Sequence, residues 1–575
     1  MLMKDFLKTQ IRLVLISLYP ESKQLLKGLD FEVSDTDFNF GDYTTNVAFN
    51  LAKILKKNPN VLAEELASKM QSISRINHCC DKIEALKGYV NFWLKLEYLD
   101  RNLDWLVKVK RFFPANHKTM VIDYSSPNIA KPFGIGHFRS TNIGGAIYNI
   151  YKFLGYKTIS DNHLGDWGKY FGILIYQLES KVLKNKTSKE RQDYLKKMTV
   201  SDLEKIYVDF HKEVENNPLL DEQARMWFKK LSDGNLTAKK IWQACIKVSL
   251  KEFNRIYKIL GVKFDYSLGE SFYKDMMLQV ISEIKKKKLA QESQGALVVS
   301  FSDKDMPPGM LLKSDGATTY LTSDLAALKY RLKNFKPNLV IYEVGKEQDL
   351  HFKQLFKIAE MLGWLKNCEL IHVAHGLFES SDGGKLSTRS GKTIYLEDVL
   401  EEAYKRTQSM ISESDIKKSK IIVGKVALGA LKYNDLSQHY SHNIIFDWNK
   451  ILNLNGNSGP YLQYSYARAY NVLIKSKTNT KIKIKDISLD EKKILRKLSK
   501  FKEVVIEAGA RFSPHILCLY LFELAQLYNN FYNNYPILKA ETFKKQAMRL
   551  KITKGTANII KIGLNLLGVE TLSRM

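Results

Sequence analysis

The stretch KPFGIGHFRST, Lys131 to Thr141, puts two glycines and a histidine at the point where an apolar run gives way to an amphipathic pattern. The first backbone N–H groups of a helix lack partners and the helix dipole favours negative charge there, so such a junction can bind phosphate. Gly134 and Gly136 would let the backbone approach an anion with no Cβ in the way. His137 can donate a hydrogen bond to a phosphate oxygen, and Lys131 adds a mobile cation. A tight turn would use the same glycines, so this stretch alone leaves both readings open. A second stretch, SSDGGKLSTRSGKTIYLEDVL (Ser380 to Leu400), carries a flexible Asp-Gly-Gly followed by Lys385, Ser387, Thr388, Arg389 and Lys392. Such a loop can close over a triphosphate and neutralise charge gathering on departing pyrophosphate. A basic hairpin turn is the plain alternative for it. Two such loops, each after an apolar strand, together favour nucleotide chemistry.

The elements that would position these residues follow a strand–helix–strand order. TMVIDYS (Thr119 to Ser125) is a short apolar run ending in polar residues. From His137 a helix carries Ile143, Ile147, Ile150 and Leu154 on one face and stops at Gly155. KTISDNH is the next strand, and apolar strands return at Asn338 to Gly345 and Glu369 to Gly376. This predicts an α/β Rossmann-type domain with a parallel sheet and nucleotide-binding geometry. Residues around 180–265 read as a charged helical insertion, and the KKKK at Lys285 to Lys288 as a solvated helix end. The first 115 residues mix helix and strand signals, with KGYVNFWLKL as a strand, and RFFPANHK (Arg111 to Lys118) reads as a linker broken by Pro114. From about 410 onward the chain reads helical and is dense in Tyr and Asn, with an exposed basic loop at Lys475 to Asp486. The predicted domains are therefore 1–115, α+β; 116–410, Rossmann-type with the insertion; and 411–575, an all-α helical bundle.

A chain of 575 residues exceeds one ordinary domain. Its 45% hydrophobic and 26% charged residues are normal for a globular protein. A net charge of +28 points to a polyanion, either nucleic acid or an anionic membrane surface. A lysine-rich surface drawn from an AT-rich genome is the plain alternative. No apolar run reaches the roughly 18–20 residues of a membrane span, and MLMKDFLKTQIRLVLISLYP lacks the uninterrupted apolar core of a signal peptide. Asp5 and the short length argue against a transit peptide. Cys79, Cys80, Cys245, Cys368 and Cys518 make no CxxC pair and no zinc knuckle, which fits free thiols in a reducing cytosol.

The two phosphate-type loops resemble the HIGH and KMSKS signatures of class I aminoacyl-tRNA synthetases. SSPNIAKPFGIGHFRSTNIGG, NHLGDWGKYFG, DGATTYLTSDLAA, VGKEQDLHF and GGKLSTRSGKTIYLEDVL resemble the arginyl-tRNA synthetases in particular. FGDYTTNVAFNLAK near the start is similar to that family's N-terminal domain, and the C-terminal stretch ending GLNLLGVETLSRM to its helical domain. The resemblance covers the whole chain. It implies ATP-dependent joining of L-arginine to tRNA(Arg) through arginyl-adenylate, with ATP as a substrate carrying Mg2+ and no permanently bound cofactor. It also implies a monomer in the cytoplasm.

Carried over by the resemblance, His137 matches the second histidine of HIGH, touching phosphate and lying close to the arginine carboxyl group. Lys385 and Ser387 match the first lysine and the serine of KMSKS, and Lys131 stands where family members that lack the second KMSKS lysine carry a compensating one. With Gly134 and Gly136 these residues make the expected ATP site, and His137, Lys131 and Lys385 the expected catalytic set. Arginine is expected to meet Asp123, Ser126, Asn128, His137, Tyr320, Asp324 and Gln348. Asp324 would take the guanidinium, which needs paired planar acceptors, while Tyr320 shapes and seals the pocket. Read without the resemblance, Asp324 is a helix N-cap and Gln348 an exposed loop glutamine. Gly134 replaces the first HIGH histidine, a donor whose loss is worth ~3 kcal/mol where a site depends on it. A tRNA-binding protein with an impaired active site is the alternative this replacement raises. A nucleotidyltransferase acting on a small molecule is another.

For tRNA, the N-terminal domain is expected at the elbow through Asn91, Phe92 and Trp93. The C-terminal domain is expected to read the anticodon with aromatics such as Tyr461 and Tyr464. Tyr466, Tyr528, Phe531, Tyr532 and Tyr535 complete that set, more than half of which helical spacing assigns to the core.

Overall fold

The computed structural model describes residues 2–303, 306–379, 395–410, 419–476, 478, 480 and 482–574. The N-terminal region opens with the helix Met3–Leu18 and builds an antiparallel sheet from β1 (Val33–Asp35), β2 (Tyr43–Thr45), β3 (Cys80–Leu86) and β4 (Tyr89–Leu94), in the order β1-β2-β4-β3. β3 and β4 form a hairpin through Lys87 (φ 50°) and Gly88 (φ 80°), the left-handed pair that a two-residue turn requires. β4 is paired on both edges, with Phe92 opposite Tyr43 on one side and Ile83 on the other. Its place in the middle of the sheet leaves Phe92 fully buried and Asn91 3% exposed. These two residues therefore cannot touch a tRNA from where they stand. Only Trp93 keeps part of its surface, with Lys82 Nζ 4.8 Å above its ring.

The stretch that reads as a linker is packed into the protein. Phe112 is buried and its ring lies 5.2 Å from Phe153 and 5.5 Å from Phe501, so it joins the N-terminal, central and C-terminal regions in one apolar core. Beyond it β5 (Thr119–Asp123) leads to the helix Ile135–Phe153 and on to β6 (Lys157–Asp161). Gly155 ends that helix at φ +91°, and a Cβ there would fall 2.0 Å from the Pro114 carbonyl oxygen, so no other residue fits. Helices Ser188–Lys197, Val200–Asn216, Leu219–Ser232 and Leu236–Leu260 form the insertion, and share a core that includes Leu203, Ile241 and Phe253. A small antiparallel sheet follows, β7 (Ala290–Ser293), β8 (Ala296–Val299) and β9 (Gly309–Leu312), then the helix Tyr320–Phe335. β10 (Leu339–Gly345), the helix Asp349–Met361 and β11 (Glu369–His375) complete the central sheet, whose order is β11-β10-β5-β6 with every pairing parallel. Ligands in such sheets bind beyond the carboxyl ends of the strands.

From Leu396 on the described residues are almost wholly helical. The helix Lys420–Leu436 packs on Ile135–Phe153, and the bundle is tied back to the N-terminal region by buried ion pairs, Arg496 with Asp42 and Lys551 with Asp100. Among the described residues no helix is long and apolar enough to cross a membrane.

Candidate active site

β5 ends at Asp123, and a compact loop must carry the chain to Ile135. Ser125 (φ 73°), Ser126 (φ 41°) and Ala130 (φ 63°) all adopt the left-handed conformation in it. Each such residue costs of order 1–3 kcal/mol, so the surroundings must over-determine the loop. Ser125 N–H donates to Ser140 Oγ at 2.8 Å, Ser126 N–H to Asn162 Oδ1 at 3.1 Å and Ala130 N–H to Ser249 Oγ at 2.8 Å. These partners come from the following helix, the turn after β6 and the long insertion helix, so the insertion braces the loop.

Gly134 is the N-cap of the helix, with an ordinary φ of −83°. Its N–H donates to His137 Nδ1 at 3.2 Å. That bond requires a bare Nδ1, so the neutral ring carries its proton on Nε2, where it can be donated. Desolvation, helped by Lys131 and His375, depresses the His137 pKa to about 4, which keeps the ring neutral at neutral pH although part of its surface is open. Gly136 is exposed in the first turn, and a Cβ there would meet nothing within 4 Å. The helix start is therefore open at Gly136, which leaves room for an anion beside its first turn. Lys131 is exposed, its Nζ 5.4 Å from the centre of the Tyr170 ring. Leu396 N–H donates to the Phe133 carbonyl at 3.0 Å, which pins the chain just after the second phosphate-type loop against the first. Lys385, Ser387, Thr388, Arg389 and Lys392 lie outside the described residues.

A cation-accepting group of side chains lies beyond the same strand ends. The helix Tyr320–Phe335 is capped by Thr319, so Asp324 is not its N-cap. Asp324 sits in the second turn, with His351 Nε2 2.6 Å from one carboxylate oxygen and His163 Nε2 3.5 Å from the other. Burial alone would raise its pKa, but the His351 hydrogen bond and the charges of His163, His351 and Arg331 outweigh that and hold it below the usual range. Glu270 lies nearby, in the turn Glu270–Tyr273 that packs against this helix, its N–H donating to the Leu164 carbonyl at 3.0 Å. Burial, then the charges of Asp324 and Asp166, push its pKa up to about 8, so it holds a proton at neutral pH. An ionised carboxylate with a second carboxyl group nearby, kept protonated by burial first and by its negative neighbours second, suits the paired donors of a guanidinium.

Tyr320 opens the helix and is 71% exposed, so it borders the pocket without sealing it. Asn128 and Gln348 are exposed, Gln348 in the short turn at the carboxyl end of β10. Asp123 departs from expectation. It is 5% exposed, its Oδ2 accepts from Arg331 Nη2 at 2.7 Å and its Oδ1 from the Ser126 hydroxyl at 2.8 Å. Both oxygens are engaged inside the protein, so Asp123 supports Ser126 and is not open to a substrate guanidinium. Glu270, His163, His351 and Arg331 are the members of this site that sequence reasoning missed. His163 and His351 stand inside NHLGDWGKYFG and VGKEQDLHF and could have been picked from them, whereas Glu270 has no local signal at all.

In the helical bundle Tyr466, Tyr528 and Phe531 are buried, three of the seven aromatics and fewer than expected. Tyr461 and Tyr535 are half-buried. Tyr464 and Tyr532 are exposed and hold the Arg468 guanidinium between them, 4.7 Å from each ring centre.

Comparison with known proteins bears on all three regions. Residues 5–94 match the family described as Arginyl tRNA synthetase N terminal domain, 104–448 that of tRNA synthetases class I (R), catalytic domain, and 462–575 the DALR anticodon binding domain. The chain is 39% identical over 548 residues to the arginine–tRNA ligase of Halothermothrix orenii, covering 93% of this chain and 94% of that one. It is 40% identical over 573 residues to that of Fusobacterium nucleatum, covering 97% of each. The solved arginyl-tRNA synthetase of Plasmodium falciparum superposes with a TM-score of 0.84 at 25% identity, over 100% of this chain and 99% of that one. The arginyl-tRNA synthetase of Thermus thermophilus shares the fold, with a TM-score of 0.80 at 21% identity over the full length of both.

Proposed function

The chain belongs to the arginyl-tRNA synthetase family, and from that premise we propose how its residues divide the work of the reaction. The reaction is the ATP-dependent ligation of L-arginine to its cognate tRNA. In the first step an arginine carboxylate oxygen attacks the α-phosphorus of ATP, and the bond to the bridging oxygen breaks with its electron pair leaving on pyrophosphate. In the second step the terminal ribose hydroxyl attacks the adenylate carbonyl, the carbonyl carbon's bond to the phosphate oxygen breaks with its electron pair leaving on AMP, and the hydroxyl proton passes to that departing phosphate. Neither step needs a covalent enzyme intermediate, so the protein supplies position and charge.

In our reading the first turn of the helix Ile135–Phe153 and the Nε2–H of His137 receive the phosphates. Lys131 and, from the second loop, Lys385 with Ser387 neutralise charge on the departing pyrophosphate. Asp324 and Glu270 take the guanidinium, Tyr320 lies along its edge, and Ser126, Asn128 and Gln348 meet the amino-acid end. His137 lies close enough to that end to touch the carboxyl group as well. Mg2+ enters on the ATP phosphates. Among the described residues no group of three or more His, Cys, Asp or Glu side chains is gathered to hold a metal. Residues 1–115 meet the tRNA elbow through the open part of Trp93, 116–410 carry the chemistry, and 411–575 read the anticodon with Tyr461 and Tyr464. We further propose a monomer working in the cytoplasm.

The observation that carries this reading is Asp324, held by His163 from beyond β6 and by His351 from beyond β10, at the same end of the sheet as the helix start at Gly134. The test is ATP–pyrophosphate exchange with arginine, with and without cognate tRNA, against lysine and citrulline. Exchange is expected with arginine alone of the three, and only when tRNA is present. Asp324→Asn should raise the KM for arginine by roughly 100-fold, the loss of a charge-assisted paired contact. No exchange under any condition, with tRNA still bound tightly, would instead leave a tRNA-binding protein whose Gly134 has cost it the chemistry.

A further inference from the structure

Arg331 is 0% exposed. It lies at the carboxyl ends of β5 and β6. Its Nη2 donates to Asp123 Oδ2 at 2.7 Å and to Asp161 Oδ2 at 2.8 Å, and its Nε donates to Asp161 Oδ2 at 3.0 Å. The guanidinium also lies over the Tyr342 ring, 5.4 Å from its centre. Two buried carboxylates side by side repel, and either one alone would be expensive to keep ionised away from water. The guanidinium answers this with Nη2 between the two carboxylates and Nε as a second donor to Asp161.

Its place on the chain matters as much as its partners. Arg331 lies seven residues beyond Asp324 and eleven beyond Tyr320 on a single helix, a spacing that puts all three on one face. The contact that anchors this helix to the strand ends therefore also sets where Asp324 stands. On its other side Arg331 holds Asp123, whose second oxygen accepts the Ser126 hydroxyl at 2.8 Å. Ser126 is one of the left-handed residues of the loop that leads to the Gly134 helix start. A continuous path of contacts thus runs from the guanidinium-accepting pocket through Arg331 and Asp123 to the loop before the phosphate site.

We propose that Arg331 is a positioning residue for arginine recognition. As a built-in guanidinium it occupies Asp123 and Asp161, leaves Asp324 and Glu270 as the acceptors for the substrate's own guanidinium, and fixes the depth of Asp324 and the shape of the Ser126 loop together. This rests on the assignment of Asp324 and Glu270 to the arginine pocket. Without Arg331 the pocket would hold two further unpaired carboxylates that compete for the same cation and pull the substrate out of register.

The test uses the full-length protein and its tRNA. Arg331→Lys keeps the charge but has neither the planar fork nor the Nε donor, so the bond that Nε makes to Asp161 is lost and the fixed geometry of the bridge with it. The KM for arginine is expected to rise roughly tenfold or more, the loss of about one charge-assisted hydrogen bond, while the KM values for ATP and tRNA stay within about twofold. Arg331→Ala is then assayed with millimolar guanidinium chloride, far below denaturing concentrations. Guanidinium should slow the parent protein by competing with arginine at Asp324, but should first speed Arg331→Ala by refilling the internal site. A role in stability alone would move all three KM values or none, and would show no such opposite response. An arginine KM within about twofold of the parent in Arg331→Lys, or guanidinium inhibition of Arg331→Ala from the lowest concentration, overturns the proposal. Should both variants fail to fold, Asp161→Asn takes one carboxylate from the same guanidinium and is judged by the same KM comparison. An arginine KM in Asp324→Asn within about twofold of the parent would refute the pocket assignment itself, and so is distinguishable from failure of this inference.

Discussion

Glu270 holds a proton at neutral pH because burial and the charges of Asp324 and Asp166 penalise its ionised form and push its pKa up to about 8. A substrate guanidinium entering beside Asp324 reverses that balance, since its charge favours the carboxylate. The bound protein then holds fewer protons than the free one below pH 8. Arginine affinity must accordingly rise with pH in that window and level off above it. For a single proton the slope is at most about 1.4 kcal/mol, or tenfold, per pH unit, so between pH 6.5 and 8 the gain is bounded at roughly 30-fold. The corresponding stability effect has a definite sign. A carboxyl whose folded pKa is raised favours the folded state most below its unfolded value, so the free protein loses stability as pH rises from about 4.5 to about 8. Calorimetric titration of the protein with arginine, in two buffers of different ionisation enthalpy and with tRNA present if arginine alone gives no heat, measures both the affinity and the proton released. In Glu270→Gln the part of the slope due to this group should vanish, which separates it from His163 and His351 nearby. A parent affinity that is flat from pH 6 to 8, or an unchanged slope in Glu270→Gln, would refute the reasoning.

His137→Ala should lower the rate of adenylate formation, read by pyrophosphate exchange at saturating substrates, by about 10²–10³-fold, as removal of a preorganised donor does. Because the His137 pKa is depressed to about 4, lowering the pH from 8 to 6 should not protonate this ring, and exchange at saturating substrates should show no loss traceable to it when compared with His137→Gln. Gly134→His restores the donor that the family pattern has at this position. Exchange within about threefold of the parent is expected, because the helix start and His137 Nε2–H already meet the phosphates, whereas a gain beyond about tenfold would show a missing donor. Tyr464→Ala removes an exposed ring that stacks Arg468, and should raise the tRNA KM by roughly tenfold in charging assays while the ATP KM is unaffected.

The parts of this protein that could be read from its sequence are those set by neighbours along the chain. The run Thr119–Asp123, the helix that follows it and its stop at Gly155 are local periodicity and local backbone chemistry, and the structure reproduces them. Periodicity fails where a strand is covered on both sides. Asn91 and Phe92 look like an accessible polar–aromatic pair, yet β4 lies between β2 and β3 and both side chains point into packed material. It fails again where charges far apart in sequence meet. Asp123 and Asp161 end different strands, and Arg331 follows on a helix some 170 residues beyond the nearer of the two. Within KYRLKNF it is one basic residue among several. Only the parallel order of β5 and β6, with that helix laid against their ends, makes it the counter-charge of both. The same topology explains why resemblance assigned Asp123 to the substrate. It stands at the strand end beside the proposed arginine pocket, but Arg331 puts a guanidinium of the protein's own there, and Asp123 is taken by it.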